Sequence, residues 1–154
     1  MSLSQDELVA MLRGSASKWN AWRKENQFSP VKLPEADFSD AMLIQASLQR
    51  VDFTESNFEC AVLAHSDLTG SVFKDALLGS VDFCEAKLHE VDFSGADLHN
   101  ASFCGADIEG AVLTNTNLAG ANFQQSRGTP KADRRTMEYI AAQRTAYLLY
   151  CAKD

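Results

Sequence analysis

Every fifth residue from 33 to 123 is Leu, Phe or Ile, 19 positions without exception from Leu33 and Phe38 through Ile108 to Leu118 and Phe123. Two residues before each stands a small or β-branched residue, from Val31, Ala36 and Ala41 through Ser56, Ser66 and Ser71 to Thr116 and Ala121. A period of five excludes the ordinary elements. On an α-helix, at about 100° per residue, successive marks would rotate by about 140° and smear over the whole surface. In a flat strand, whose side chains alternate, each step would flip the mark to the opposite face. The chain must therefore turn a corner once per repeat. Two apolar positions two residues apart suit a short extended segment, and the rest of the pentad carries the chain to the next side of a parallel β-solenoid.

The phenylalanines indicate the number of sides, because identical rings stack best on successive rungs of one side. Eight of the nine, Phe38, Phe53, Phe58, Phe73, Phe83, Phe93, Phe103 and Phe123, hold central pentad positions and are the expected core. Five pairs of these are 20 residues apart and two are 15 apart, which favours four sides over three. Residues 31–126 then make nearly five coils, a rod roughly 23 Å long at the strand spacing of about 4.8 Å.

Runs such as Ala36-Asp37-Phe38-Ser39-Asp40, Gly95-Ala96-Asp97-Leu98, Gly105-Ala106-Asp107-Ile108 and Gly120-Ala121-Asn122-Phe123 make the chain resemble the pentapeptide-repeat proteins. The resemblance implies a mainly β fold, a right-handed four-sided parallel β-helix. The central residue and the small residue two before it would point inward, the other three outward. Members of that family serve varied roles, so the fold by itself supplies no function.

The flanks read as covers for the open ends of the solenoid, giving an N-terminal helical cap over 1–30 and a C-terminal helical segment over 127–154 within one structural domain. Ser4 and Glu7 have capping-box spacing ahead of Leu8, Met11 and Leu12, and Gly14 can end that helix. A second helix carries Trp19 and Trp22 and stops near Asn26, its Trp19-Asn20-Ala21-Trp22-Arg23 segment resembling an extension often found before pentapeptide arrays. Trp19, Trp22 and Phe28 are the expected plugs of the first coil. Thr129 as N-cap and Pro130 as first residue predict a last helix running to about Ala152. Its apolar surface is wider than one cap needs, so Tyr139, Leu149 and Tyr150 are candidates for pairing with a second copy of the chain.

Charge is unevenly distributed. Of 14 basic and 21 acidic residues, the array 31–126 holds four and fifteen, a net −11, against the −7 of the whole chain. The family includes acidic arrays that imitate duplex DNA and protect DNA gyrase from inhibitors, and carboxylates spaced along a rod can compete for a channel built for phosphates. Folded on a 20-residue period, the side of Phe38 and Phe58 exposes Asp37, Asp40, Glu59 and Asp97 with no Lys or Arg, the candidate mimic face. The side of Leu43 and Leu63 instead exposes Met42, Ile44, Val62 and Ala64, an apolar patch that wants either the N-terminal helices or a protein partner over it.

Catalysis finds little footing. His65, His89 and His99 fall on outward positions of three different sides, and no nucleophile stands at a recognisable spacing from them. Cys84 and Cys104, one coil apart, are expected to stay reduced, and the four cysteines include no Cys-x-x-Cys pair for zinc. No phosphate-cradling glycine loop and no basic aromatic patch appears, so neither a cofactor nor direct nucleic-acid binding is expected. No apolar run approaches the roughly 20 residues of a membrane span, and no signal peptide opens the chain, which predicts a cytoplasmic protein. The expectation is a bacterial-type, non-enzymatic interaction scaffold with an unidentified protein partner, able to form a homodimer through its last helix. The gyrase-directed DNA mimic is the alternative.

Overall fold

One residue in each pentad adopts the left-handed conformation, and this residue bends the extended chain. In the first coil, residues 31–50, these are Glu35 (φ 54°), Asp40 (φ 56°), Gln45 (φ 59°) and Arg50 (φ 57°). At most corners along the array the next residue donates its N–H back to the central carbonyl, as Ala41 does to Phe38 at 3.1 Å. A second bond tightens many corners: the Asp or Asn before the central residue accepts the N–H of the residue after it. Examples are Ser39 N to Asp37 Oδ1 at 2.9 Å, Thr54 N to Asp52 Oδ1 at 3.1 Å and His99 N to Asp97 Oδ1 at 3.1 Å. Left-handed backbone at a residue with a side chain costs about 1–2 kcal/mol, so each corner needs this local support.

Parallel bridges then join residues twenty apart, from Val31 with Val51 to Asp107 with Arg127. Each rung is held in both directions, as where Leu43 N donates to Val62 O at 2.8 Å and Val62 N to Ala41 O at 2.9 Å. The extended segments are so short that only β1 (Val31–Lys32) and β2 (Val51–Asp52) form strands of more than a single bridge. The computed structural model describes residues 3–152, and these strands lie between helices α1 (Gln5–Gly14) and α2 (Ala16–Glu25) and a last helix, α3 (Arg134–Cys151).

The interior is a column of rings. All five phenylalanine pairs twenty apart stack, with centroid separations from 4.6 Å for Phe103 and Phe123 to 5.6 Å for Phe73 and Phe93. Rings on adjoining sides meet edge to face, as Phe53 and Phe58 do at 5.0 Å. Inward serines are buried with their hydroxyls satisfied, Ser71 donating to Leu68 O at 2.6 Å and Ser126 to Phe123 O at 2.7 Å. Leu98 is buried, whereas Leu118 is only half-buried, because the chain leaves the coil before a residue twenty further on can cover it.

The last helix begins later than the Thr129-Pro130 pattern predicts. Asp133 is its N-cap, accepting Thr136 N at 2.8 Å. Residues 129–131 instead prolong the coil, with Gly110 N donating to Thr129 O at 3.0 Å and Lys131 N to Ala111 O at 2.7 Å. This final segment is one residue short of a full rung, since Lys131 bridges Val112 nineteen positions back. Gly128 allows the shortening: its φ is 85°, and a Cβ there would lie 2.5 Å from Glu109 N. At the other end, Ser4 and Glu7 form the capping box, and Ser15 caps α2 through Lys18 N at 3.2 Å. No helix among the described residues is long and apolar enough to cross a membrane.

Candidate interaction faces

The first coil has no rung before it, so its outward carbonyls would be left open. Side chains of α1 and α2 meet them on three of the four sides. Gln5 Nε2 donates to Pro34 O at 2.8 Å, and Arg13 donates to Asp37 O at 2.6 Å and Ser39 O at 3.3 Å. Trp19 Nε1 reaches Ser47 O at 2.8 Å, and Arg23 reaches Gln49 O at 2.9 Å. Asn20 binds both ways, to Gln45 O at 2.9 Å and from Ser47 N at 2.7 Å. Trp19 is fully buried and tilts against the half-buried Trp22 at 5.3 Å.

Phe28 does not plug the coil. Its side chain is 90% exposed, because the turn after α2, tied by Ser29 N to Asn26 O, points the ring away from the column that Trp19, Leu8 and Leu12 close.

The helices also leave the apolar side uncovered. Met42 is 61% and Ile44 42% exposed, with Val62 and Ala64 half-buried on the next rung. Among the described residues, nothing donates to the carbonyls of Met42 or Ile44, so this side of the first coil keeps both its edge and its apolar side chains open. Lower on the same side stand Cys84 and Cys104, both free thiols. Cys84 Sγ lies 3.2 Å from Ser102 Oγ, and burial, helped by the Asp82 carboxylate, pushes its pKa up to about 11, so it is a poor nucleophile.

The acidic side is less uniform than its sequence. Arg13 of α1 lies over it, 3.9 Å from Asp37, so a side expected to lack basic groups receives one from another element. Leu77 interrupts it, about half exposed. Asp37 and Asp97 hold corners through the bonds already described, and Asp40 is itself a corner residue. Backbone and hydroxyl bonds from Ser39 hold the Asp37 carboxyl below its ordinary value. Partial burial pushes Asp97 up, but bonds from the His99 ring and backbone and from Asn117 outweigh it and leave the group lowered. Glu59 remains exposed.

Two histidines expected to be merely solvated are paired with carboxylates: His99 Nδ1 with Asp97 at 3.0 Å, and His89 Nε2 with Asp107 at 2.9 Å. The second pair crosses from one coil to the next, which sequence spacing does not display. Among the described residues, no group of three or more His, Cys, Asp or Glu side chains is placed to hold a metal ion.

At the far end, Tyr139 Oη and Gln143 Nε2 both donate to Ala121 O, at 2.8 and 2.9 Å, while Gln143 Oε1 accepts Phe123 N at 2.7 Å. Arg144 Nε adds Ser126 Oγ at 3.1 Å, and Ile140 is buried against the core. Tyr139 is therefore engaged by the coil rather than free for a second copy. Leu149 and Tyr150, with Leu148, are exposed beyond it.

A family model of pentapeptide repeats matches residues 27–59, 56–95, 66–103 and 92–127, in eight copies. Among solved structures, the chain is similar to HetL, a pentapeptide repeat protein involved in heterocyst differentiation regulation in the cyanobacterium Nostoc sp. strain PCC 7120. Identity is 27% and the TM-score 0.52, over 62% of this chain and 48% of HetL, so the chain spans about half of that relative. It is also similar to QnrB1, a plasmid-mediated fluoroquinolone resistance protein, at 16% identity and TM-score 0.53 over 72% of this chain and 64% of that one, a likeness of fold alone. A pentapeptide repeat protein of the Arabidopsis thaliana thylakoid lumen aligns at 26% identity and TM-score 0.49, over 77% of this chain and 80% of its own. No curated protein matches the chain. With the five-residue corners, the twenty-residue rungs and the family match over most of its length, the chain belongs to the pentapeptide-repeat family and folds as a right-handed β-helix solenoid.

Proposed function

We propose that the chain is a non-enzymatic interaction scaffold: a rigid four-sided rod of nearly five coils, closed by α1 and α2 at one end and α3 at the other, that receives a protein partner on the side of Leu43 and Leu63. The observation that carries this reading is the exposure of Met42 and Ile44 on the side of the first coil where, among the described residues, neither edge carbonyl receives a donor. Elsewhere on that coil the helices supply donors, so this side combines apolar surface with unmet acceptors, which a partner's backbone or amide side chains can satisfy. Affinity capture from the native host, comparing wild type with Met42→Glu/Val62→Glu, tests it. A specific partner should be lost while circular dichroism and the melting temperature hold. Retention of every captured protein by the folded variant would refute the face.

The exposed Leu148, Leu149 and Tyr150 on α3 support homodimer formation through that helix, and sedimentation of wild type against Leu149→Glu/Tyr150→Glu tests it. The net −11 of the array is the observation that favours the second reading, an acidic mimic of DNA acting on gyrase. Arg13 over Asp37 and the corner roles of Asp37, Asp40 and Asp97 weigh against it. A supercoiling and drug-protection assay without effect at micromolar concentration would remove that reading.

A further inference from the structure

In a chain of net charge −7, three cations without carboxylate partners line one cavity. The space between α2 and the side of Leu48 and Leu68 has a volume of about 570 Å³ and is lined by Arg23, Lys24 and Arg50, with Asp67 as its one carboxylate and Phe28 also in its wall. Among the described residues, no carboxylate oxygen lies within ion-pair distance of Arg23, Lys24 or Arg50. Asp67 is already engaged: it accepts Thr69 N at 3.1 Å and Thr69 Oγ1 at 2.7 Å, and lies 3.9 Å from Lys87.

Arg23 is 5% exposed, and among the described residues its charge is met by neutral carbonyls alone, those of Asn26 at 2.9 Å, Ser29 at 3.0 Å and Gln49 at 2.9 Å. Burial, and then the nearby Arg50 charge, lower its pKa below the ordinary guanidinium value. A bound anion would relieve both. A cleft lined by one sign of charge concentrates the opposite sign, and guanidinium groups hold carboxylates in paired hydrogen bonds. The exposed ring of Phe28 offers apolar surface beside the charges.

We propose that this cavity is a second docking site, taking an acidic segment of a protein partner whose carboxylates meet Arg23, Lys24 and Arg50 while an aromatic or aliphatic neighbour packs on Phe28. The occupant's being protein rests on the scaffold reading, but the surface is a different one, and Asn20, which bonds Gln45 O and also lines the cavity, stands between it and the side of Met42 and Ile44.

The test uses the full chain and fluorescein-labelled peptides of alternating Glu and Phe, with alternating Gln and Phe as control, followed by fluorescence anisotropy. The Glu peptide should bind wild type, the Gln peptide should not, and raising the salt from about 50 to about 300 mM should weaken binding. Lys24→Glu/Arg50→Glu should weaken it at least about tenfold, the neutral Lys24→Gln/Arg50→Gln less, and Phe28→Ala several-fold, all with wild-type circular dichroism. Equal binding of both peptides, equal binding by wild type and the charge-reversed chain, no binding to wild type, or binding of inorganic phosphate without the peptide would overturn the proposal. Capture of the native partner separates this from the scaffold reading. Loss in Met42→Glu/Val62→Glu but retention in Lys24→Glu/Arg50→Glu would leave the scaffold standing and remove this site.

Discussion

Trp19 donates its indole N–H to the Ser47 carbonyl at 2.8 Å, with its ring system fully buried over the first coil. One residue thus does two things that an open solenoid end requires: it covers apolar interior and satisfies an edge acceptor. The two can be separated. Trp19→Phe keeps most of the packing but leaves Ser47 O unmet, and should cost about 1–3 kcal/mol in chemical denaturation. Trp19→Ala should cost about 3–5 kcal/mol. Equal losses would mean that the buried ring adds nothing beyond the hydrogen bond, and no loss in Trp19→Phe would mean that the bond carries nothing.

The ring column predicts a sharp contrast between two residues on one side. Phe73 stacks between Phe53 and Phe93, and its removal to Ala should cost about 3–5 kcal/mol. Thr54 is half-buried and faces outward, with its hydroxyl on Asp52, so Thr54→Ala should cost under about 1 kcal/mol. Ala96→Leu should destabilise by about 1–3 kcal/mol, because that inward position is buried and a larger side chain there overpacks the core. Urea denaturation of the three variants checks the ordering.

Two glycines should answer oppositely to alanine. Gly128 sits at φ 85°, with Glu109 backbone 2.5 Å from any added Cβ, so Gly128→Ala should lower the melting temperature by several degrees. Gly14 ends α1 with nothing within 4 Å of an added Cβ. Gly14→Ala should leave the melting temperature unchanged or raise it slightly, since Ala has the higher helix propensity.

Acid should weaken the rungs through their corner carboxylates. For Asp92, partial burial raises the pKa, but bonds from the Ser94 hydroxyl and backbone, with Lys74 at 3.3 Å, outweigh it and hold the carboxyl below its ordinary 3.8. A lowered folded-state pKa contributes stability that is present above 3.8 and lost as the pH falls through the folded value. Asp92→Asn keeps an acceptor for Ser94 but cannot titrate. The gap in melting temperature between wild type and variant should therefore be constant near neutrality and close below about pH 4. A gap unchanged down to pH 2 would contradict the assignment.

The sequence displays the solenoid because the same demand, one ring or branched chain inward per side, is imposed 19 times, and the 20-residue spacing of phenylalanines reports which rings stack. The ends are less legible. Gln5, Arg13, Asn20 and Arg23 act on backbone carbonyls, and a carbonyl carries no residue identity for a pattern to match. Thr129-Pro130 imitates a helix start, although Glu109 and Gly110 still have coil bonds to make there. Phe28 is hydrophobic and close to the coil, yet a turn of a few residues sends it to the surface beside Arg23 and Lys24. Read as free charge, Asp37 and Asp97 suggest a mimic surface. Read as acceptors for the backbone N–H two residues on, they are corner braces, and the repeat of Asp or Asn before so many central residues was the available signal.

The central claim, that the side of Leu43 and Leu63 is where a partner docks, is tested most directly by hydroxyl-radical footprinting of the chain free and in its native complex. Met42, exposed in the free chain, should lose most of its oxidation in the complex, with Leu77 on the neighbouring side little changed. Undiminished oxidation of Met42, with protection falling on Leu77 instead, would contradict the account.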